Sequence, residues 1–396
     1  MQNPLIDALL AKGVQIPEPK QVMISSDIEI DRIEPRVVLY PGTRIQGSST
    51  YISSGCRIGF QGPATIESSQ LAPCVEIASG FISGAVLLEG VRCGNNAHVR
   101  AATILEEEVS FAHCVGLKQT LLFPFVTLGS LINFCDCFMA GGTSRKNHSE
   151  VGSSYIHFNY TAHQDKATPS LIGDVSKGIT LQCPPIFLGG QGGLVGPRRI
   201  AYGTILAAGS ICRKDITTPG LLVNMPSNQR EIRTSFTPGE YDNLSRVIEN
   251  NILYIANLLA LRIWYGEVRS RLISPEHFPK AVYKGLIVAL EKMIEERLLQ
   301  ITALWEKVHQ SESSTTQNKR FVEIWPQMRE FLLASPEVAF QTKKEAFLQL
   351  LDPNLARIDV MSYPALIQSL PSKTIAHGEE WLQNIVDHIL LKYKTM

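Results

Sequence analysis

Between about Val37 and Ile216, aliphatic side chains recur at short intervals among small and polar residues. Ile52 and Ile58 are six residues apart, as are Ile205 and Ile211, and Val109, Val115 and Leu121 take the same step twice. Each unit reads as a short strand plus a turn. One aliphatic side chain points inward, and Gly or Ala sits where the chain bends, since a Cβ is costly in a tight corner. Three such units close one coil, and stacked coils pair their strands in parallel. An ordinary parallel sheet needs crossovers of about a dozen residues, for which this segment has no room. The pattern predicts a left-handed parallel β-helix of hexapeptide repeats over residues 37–216.

The period changes on both sides. Residues 1–36 read as a short amphipathic N-terminal helix and a lead-in. Residues 217–230 form a Pro/Gly/Asn-rich exit. Beyond it, Leu244, Ile248, Ile252, Ile255, Leu259 and Ile263 are spaced by three or four, which predicts one apolar helix face within 241–272. Leu286, Leu290, Ile294 and Leu298 predict a second long helix over 280–309. The polar stretch 310–319 is expected to be a mobile loop, and shorter helices are expected around 321–333, 343–351 and 379–394. Residues 217–396 thus read as an all-α helical domain. It packs on the β-helix, caps its open end or mediates assembly, because the last coil presents unpaired strand edges.

Composition narrows the function. Lys plus Arg and Asp plus Glu are both 37, which removes the electrostatic case for nucleic acid or an anionic membrane as partner. No apolar run is long enough to span a bilayer, and the first residues lack a signal-peptide core. A cytoplasmic protein is expected. The eight cysteines, at 56, 74, 93, 114, 135, 137, 183 and 212, all precede the helical part and are expected to be reduced. Cys56 and Cys74 are separated by three hexapeptide units, one coil, so the cysteines read as small side chains stacked on one face. Only Cys135-x-Cys137 approaches a metal-binding spacing, and no metal is expected.

The segments His157-Phe-Asn159-Tyr160, Asp165-Lys166 and Leu171-Ile-Gly-Asp174, with the glycine-rich coils from Phe187 to Asp215, resemble the acetyltransferase half of the bifunctional UDP-N-acetylglucosamine pyrophosphorylase/glucosamine-1-phosphate acetyltransferase family. The resemblance implies acetyl-CoA, or another acyl-CoA, as co-substrate and an amino-sugar phosphate or nucleotide sugar as acceptor. It places Arg100 and Lys118 on the sugar-phosphate ligands. These two are also separated by one coil of three units and are expected to stand one above the other as a phosphate clamp. The resemblance places Asn159, Tyr160 and Lys166 beside the sugar, and Gly190 and Ala208 where backbone meets the acyl-CoA arm. A homotrimer with the site between neighbouring β-helices is also implied.

The chain departs from that pattern at two positions. The family's catalytic histidine position holds Ser130, a poor general base near neutral pH, and a sugar-contacting tyrosine position holds Asn133. His148, from the inserted segment TSRKNHSE, and His157, beside Asn159, are the candidate replacement bases. His113, in Ala112-His113-Cys114-Val115-Gly116, resembles the histidine segment of the UDP-sugar O-acyltransferases of lipid A synthesis and ranks third. Residues 1–100 contain no Gly-rich nucleotide-binding loop, so the family's nucleotidyltransferase half is not expected. Three readings stand: an acyltransferase, a binding protein that kept the pocket and lost catalysis, and an assembly role centred on the helices. A metal-dependent relative with three interface histidines is disfavoured, since 148, 157 and 163 share no coil-related spacing.

Overall fold

The structure, a computed structural model, describes residues 4–225, 233, 236, 241, 243–310, 316–334, 340–355 and 361–396. The loop expected at 310–319 and the exit at 217–230 fall partly outside these residues, at 311–315 and 226–230. Short strands stack into three parallel sheets of ten, eight and ten strands. They form the three faces of a left-handed β-helix. Following the chain, face I contains pairs such as Arg92–Cys93, face II such as Ala97–Val99, and face III such as Thr103–Leu105. Pairing begins ahead of Val37, with a bridge from Gln15 to Val38 and then the strand Met23–Ile24, and continues to Leu222–Val223.

One column on each face points inward. Leu39, Ile58, Ile77, Cys93, Phe111, Leu128 and Val151 fill it on face I, all buried. The coils are unequal in length, as the successive face I partners Arg57, Glu76, Arg92 and Ser110 show. For that reason the cysteines do not share a face. Cys56 and Cys93 are buried, whereas Cys74 and Cys114 are exposed corner residues at φ 60° and 57°. All eight are free thiols. Corners are not reserved for Gly and Ala either: Glu108, Gln119, Leu131 and Asp136 also adopt positive φ, each donating its N–H to a carbonyl of the preceding coil. Gly80 is a true glycine position, because a Cβ there would lie 2.1 Å from the Ala97 carbonyl oxygen.

The helices are α1 (Pro4–Ala11), the one-turn α2 (Val175–Gly178), α3 (Leu244–Glu267), α4 (Lys280–Gln310), α5 (Thr316–Leu333), α6 (Gln341–Leu355), α7 (Tyr363–Gln368) and α8 (Ser372–Thr395). Face III is where they attach. Its strands Ala85–Leu87, Thr103–Leu105, Leu121–Leu122 and Cys137–Met139 are buried at every residue, the signature of a sheet covered on both sides. α4 lies along the strands at 70–71, 85–87 and 103–105. α3 is wedged between α4 and α8 and is buried continuously from Asn250 to Leu261, so its apolar surface extends beyond the single face expected.

Polar contacts lock this junction. Arg269, 1% exposed, donates both terminal nitrogens to the Glu107 carboxylate at 2.6 and 2.8 Å. Its guanidinium stacks 3.2 Å from the centre of the Tyr363 ring. Tyr265 donates to Glu106 at 2.5 Å. Two buried carboxyls share one guanidinium, and burial holds Glu106 above the usual carboxylate range. A second lock is Arg297 on α4, buried against Asp136 at 2.8 Å. Among the described residues no helix is long and apolar enough to cross a membrane.

Candidate functional site

The prism has three edges, and they divide the expected site residues. The edge between faces II and III takes Arg100, Lys118, Lys166, Asn159 and Tyr160. Strand register sets the first two. Val99 pairs with Leu117, and Lys118 pairs with Cys135, so Arg100 and Lys118 occupy one column in successive coils. Arg100 reaches past Lys118 to the Cys135 thiol, 3.7 Å away. Arg100, Lys118 and Lys166 are all close enough to Cys135 to favour its thiolate, although burial outweighs them and pushes that thiol up. Three cations therefore converge on one edge, and among the described residues none of them forms an ion pair.

Lys166 arrives through the long connection between the strands Tyr155–Phe158 and Ser170–Ile172. Helices fasten that connection. Lys307 donates to the His163 and Gln164 carbonyls at 3.1 and 2.5 Å, Asn251 to that of Ala167 at 2.9 Å, and Arg297 to that of Lys166 at 3.2 Å. Asn159 is partly committed, since its amide donates to Asp136 at 3.4 Å. Tyr160 is 58% exposed. The Asp174 carboxylate caps α2, accepting from Lys177 N–H at 2.9 Å. Asn257, Gln383 and Glu379 hold the α2 segment to α3 and α8.

The two leading base candidates are not on this edge. His157 points into the prism, 2% exposed, with Nε2 2.8 Å from Ser170 Oγ. Burial pushes its pKa down to about 4. An imidazole inside the core cannot reach an acceptor outside it, so His157 is a core residue. The neighbouring Ile156 and Phe158 point outward instead. His148 lies on the edge between faces III and I, with Nδ1 2.9 Å from the Arg145 carbonyl oxygen and Nε2 3.6 Å from Glu150. The insertion is anchored there by Arg145, which donates to Glu108, Phe125, Ser110 and Thr127. Within one chain, His148 and the cation edge are on opposite sides of face III, the face that the helices cover.

The third edge, between faces I and II, holds a pairing that spacing alone did not show. His113 is exposed, and its Nδ1 lies 2.9 Å from Ser130 Oγ, one coil on. Ser130 N–H donates to Ser153 Oγ at 3.1 Å. The next coils on this edge carry Gly190 and the exposed Ala208. Stacking alone requires Gly190 to be small, because a Cβ there would sit 2.6 Å from the Ser153 carbonyl oxygen. Between this edge and the cations lies the outward column of face II, with His98, Gly116, Asn133 and Ile156 in register. Among the described residues, no group of three or more His, Cys, Asp or Glu is arranged to hold a metal.

No protein-family model matches the chain. The chain is 28% identical over 224 residues to the bifunctional protein GlmU of Cyanothece sp., covering 56% of this chain and 44% of that protein. It is 28% identical over 212 residues to the bifunctional protein GlmU of Thermotoga maritima, covering 53% and 42%. The chain thus spans about half the length of the curated relatives it matches. Among solved structures, the UDP-N-acetylglucosamine O-acyltransferase (LpxA) of Moraxella catarrhalis aligns over 70% of this chain and 96% of its own, at 12% identity and a TM-score of 0.25, too low to carry an argument. The chain is a hexapeptide-repeat β-helix protein similar in sequence to the GlmU proteins.

Proposed function

We propose that the protein is an acyl-CoA-dependent acyltransferase whose acceptor is a phosphorylated sugar or nucleotide sugar. The observation that carries the reading is the convergence of Arg100, Lys118 and Lys166, none in an ion pair among the described residues, on an edge facing the outward column of face II. Unpaired cations on one edge suit a phosphate or diphosphate, which accepts charge-assisted hydrogen bonds. Ser130 and Cys135 are five residues apart, about 17 Å at a strand's rise per residue. A sugar 1-phosphate is too short to touch both edges of face II within one chain, and a nucleotide sugar is long enough. The spacing therefore favours the nucleotide sugar.

His113 is the base in this reading. In the tautomer that donates from Nδ1 to Ser130 Oγ, Nε2 keeps its lone pair for the acceptor's proton. Ser130 is then a positioning residue. The acceptor oxygen or nitrogen attacks the thioester carbonyl, His113 takes its proton, and the carbon–sulfur bond breaks to release CoA thiolate, which is protonated as it leaves. Gly190 and Ala208, on the same edge, flank the acyl-CoA arm. Assembly as a homotrimer would bring a neighbour against face II, where Leu131, Ile156 and Phe158 are 54%, 43% and 40% exposed. A cytoplasmic location is part of the same proposal.

A non-catalytic binding protein is the second reading, favoured by Ser130 at the relatives' histidine position. Thiol release from acetyl-CoA, tested against glucosamine 1-phosphate, UDP-glucosamine and UDP-N-acetylglucosamine, decides between them. Release with a nucleotide sugar is expected. Binding of these sugars without release, and without any acetyl-CoA binding, would establish the second reading.

A further inference from the structure

A groove of about 520 Å³ lies between the first half of α4 and the early coils of the β-helix, a volume in the range of small-molecule sites. Its lining contains four cations, Arg32, Lys280, Lys284 and Lys292, and no carboxylate. In a chain whose basic and acidic residues are equal in number, such local imbalance is specific to the place. None of the four forms an ion pair among the described residues. Lys280 and Lys284 are about one turn apart and neighbours on α4, and Lys292 lines the groove two turns further on. Arg32 closes the groove from the opposite wall.

The helix adds to the imbalance. The first turn of α4 contains no acidic residue, and its first carboxylate is Glu291. The positive end of a helix dipole repels cations, so Lys280 and Lys284 raise the helix's free energy where they stand. A bound anion would reverse that sign, because it meets the dipole and the lysines together. Ser49 and Ser68 offer hydroxyls along the β-helix wall, while the 53% exposed Val288 offers apolar surface for the rest of a ligand.

From these observations we infer that the groove beside the start of α4 binds a small molecule carrying a polyphosphate group. The groove's end at Lys280 and Lys284 is set apart from the proposed acceptor edge. Lys284 and Arg297 are 13 residues apart on α4, about 20 Å along a helix, and Arg297 is the residue that contacts that edge, whereas Lys292, which also lines a pocket with Ala101 and Gln119, marks the end nearest to it. The inference does not depend on the acyltransferase reading.

Calorimetry on the full chain with ATP and with tripolyphosphate tests it. At least one of the two should bind, with affinity falling as salt rises. Lys280→Ala combined with Lys284→Ala should weaken that binding tenfold or more without lowering Tm, because both side chains are exposed and both stand near the positive end of the helix. Arg100→Ala combined with Lys118→Ala should leave it as it was. No heat with either probe would overturn the inference. So would binding indifferent to the lysine pair, or binding abolished by the Arg100 and Lys118 changes instead.

Discussion

The junction and the acceptor edge both present Arg or Lys from neighbouring coils or helices, yet their charges are treated oppositely. At the junction Arg269 is buried and spends its donors on Glu107, with Glu106 alongside. At the edge between faces II and III, Arg100 and Lys166 are exposed and meet no carboxylate among the described residues. A buried cation with a bidentate partner is held by the fold and holds the fold in return. An unpartnered cation gathered with two others on one edge contributes nothing to folding that a neutral residue would not. The contrast separates what the structure needs for stability from what it keeps available for a ligand.

That contrast breaks first at Arg269. Arg269→Ala would leave two buried carboxyls without a guanidinium, at a cost of about 3–5 kcal/mol, read as a drop in the denaturant midpoint. A destabilisation below about 1 kcal/mol would show that the junction is not locked by this pair.

The next largest effect is in pH. His157 has a pKa of about 4 in the fold, against 6.5 unfolded. A base with a depressed folded pKa contributes stability above its unfolded value and loses it as pH falls toward the folded one. Between pH 6.5 and 4 that loss amounts to about 3 kcal/mol. Glu106 acts with the opposite sign, since its raised pKa makes stability fall as pH rises from 4.5. The two windows overlap and largely offset each other, so across that range His157→Gln should leave stability falling as pH rises and Glu106→Gln should leave it rising, in unfolding curves.

At the acceptor edge, Arg100→Ala should weaken nucleotide-sugar binding by about 1.5–3 kcal/mol and change stability by less than about 0.5 kcal/mol. Equal affinity in calorimetry would remove Arg100 from the clamp. The smallest effect belongs to the ladder of Arg57, Glu76 and Arg92 on the outside of face I. Arg57→Ala there should leave Tm unchanged, since exposed pairs gain little in water.

The fold was legible because a six-residue period leaves few ways to bury one aliphatic per unit. The face that the helices cover was not read from the sequence, although its strands carry the signal. Runs such as Ala85-Val-Leu, Thr103-Ile-Leu and Cys137-Phe-Met lack the alternation of a sheet wetted on one side. The stacking of Arg100 over Lys118 followed from their spacing and holds in the register. The base was harder. His157 faced inward because each strand residue alternates, and sequence does not say which parity is inward at the end of a strand. His148 was misplaced because its insertion opens from a different corner. The contact of His113 with Ser130 joins two successive coils, and coils of unequal length blur that register in the sequence. Arg297 gave no sequence signal, since a helix Arg every few turns is ordinary until its partner Asp136 is seen.

The most direct test is the pre-steady-state rate of thiol release from acetyl-CoA with a nucleotide-sugar acceptor, compared between the wild type and His113→Ala. Loss of a general base costs about 10²–10⁴-fold, so a fall of that size is expected for His113→Ala, with His148→Ala remaining within a few-fold of wild type. Unchanged release by His113→Ala, or a full loss confined to His148→Ala, would contradict the account.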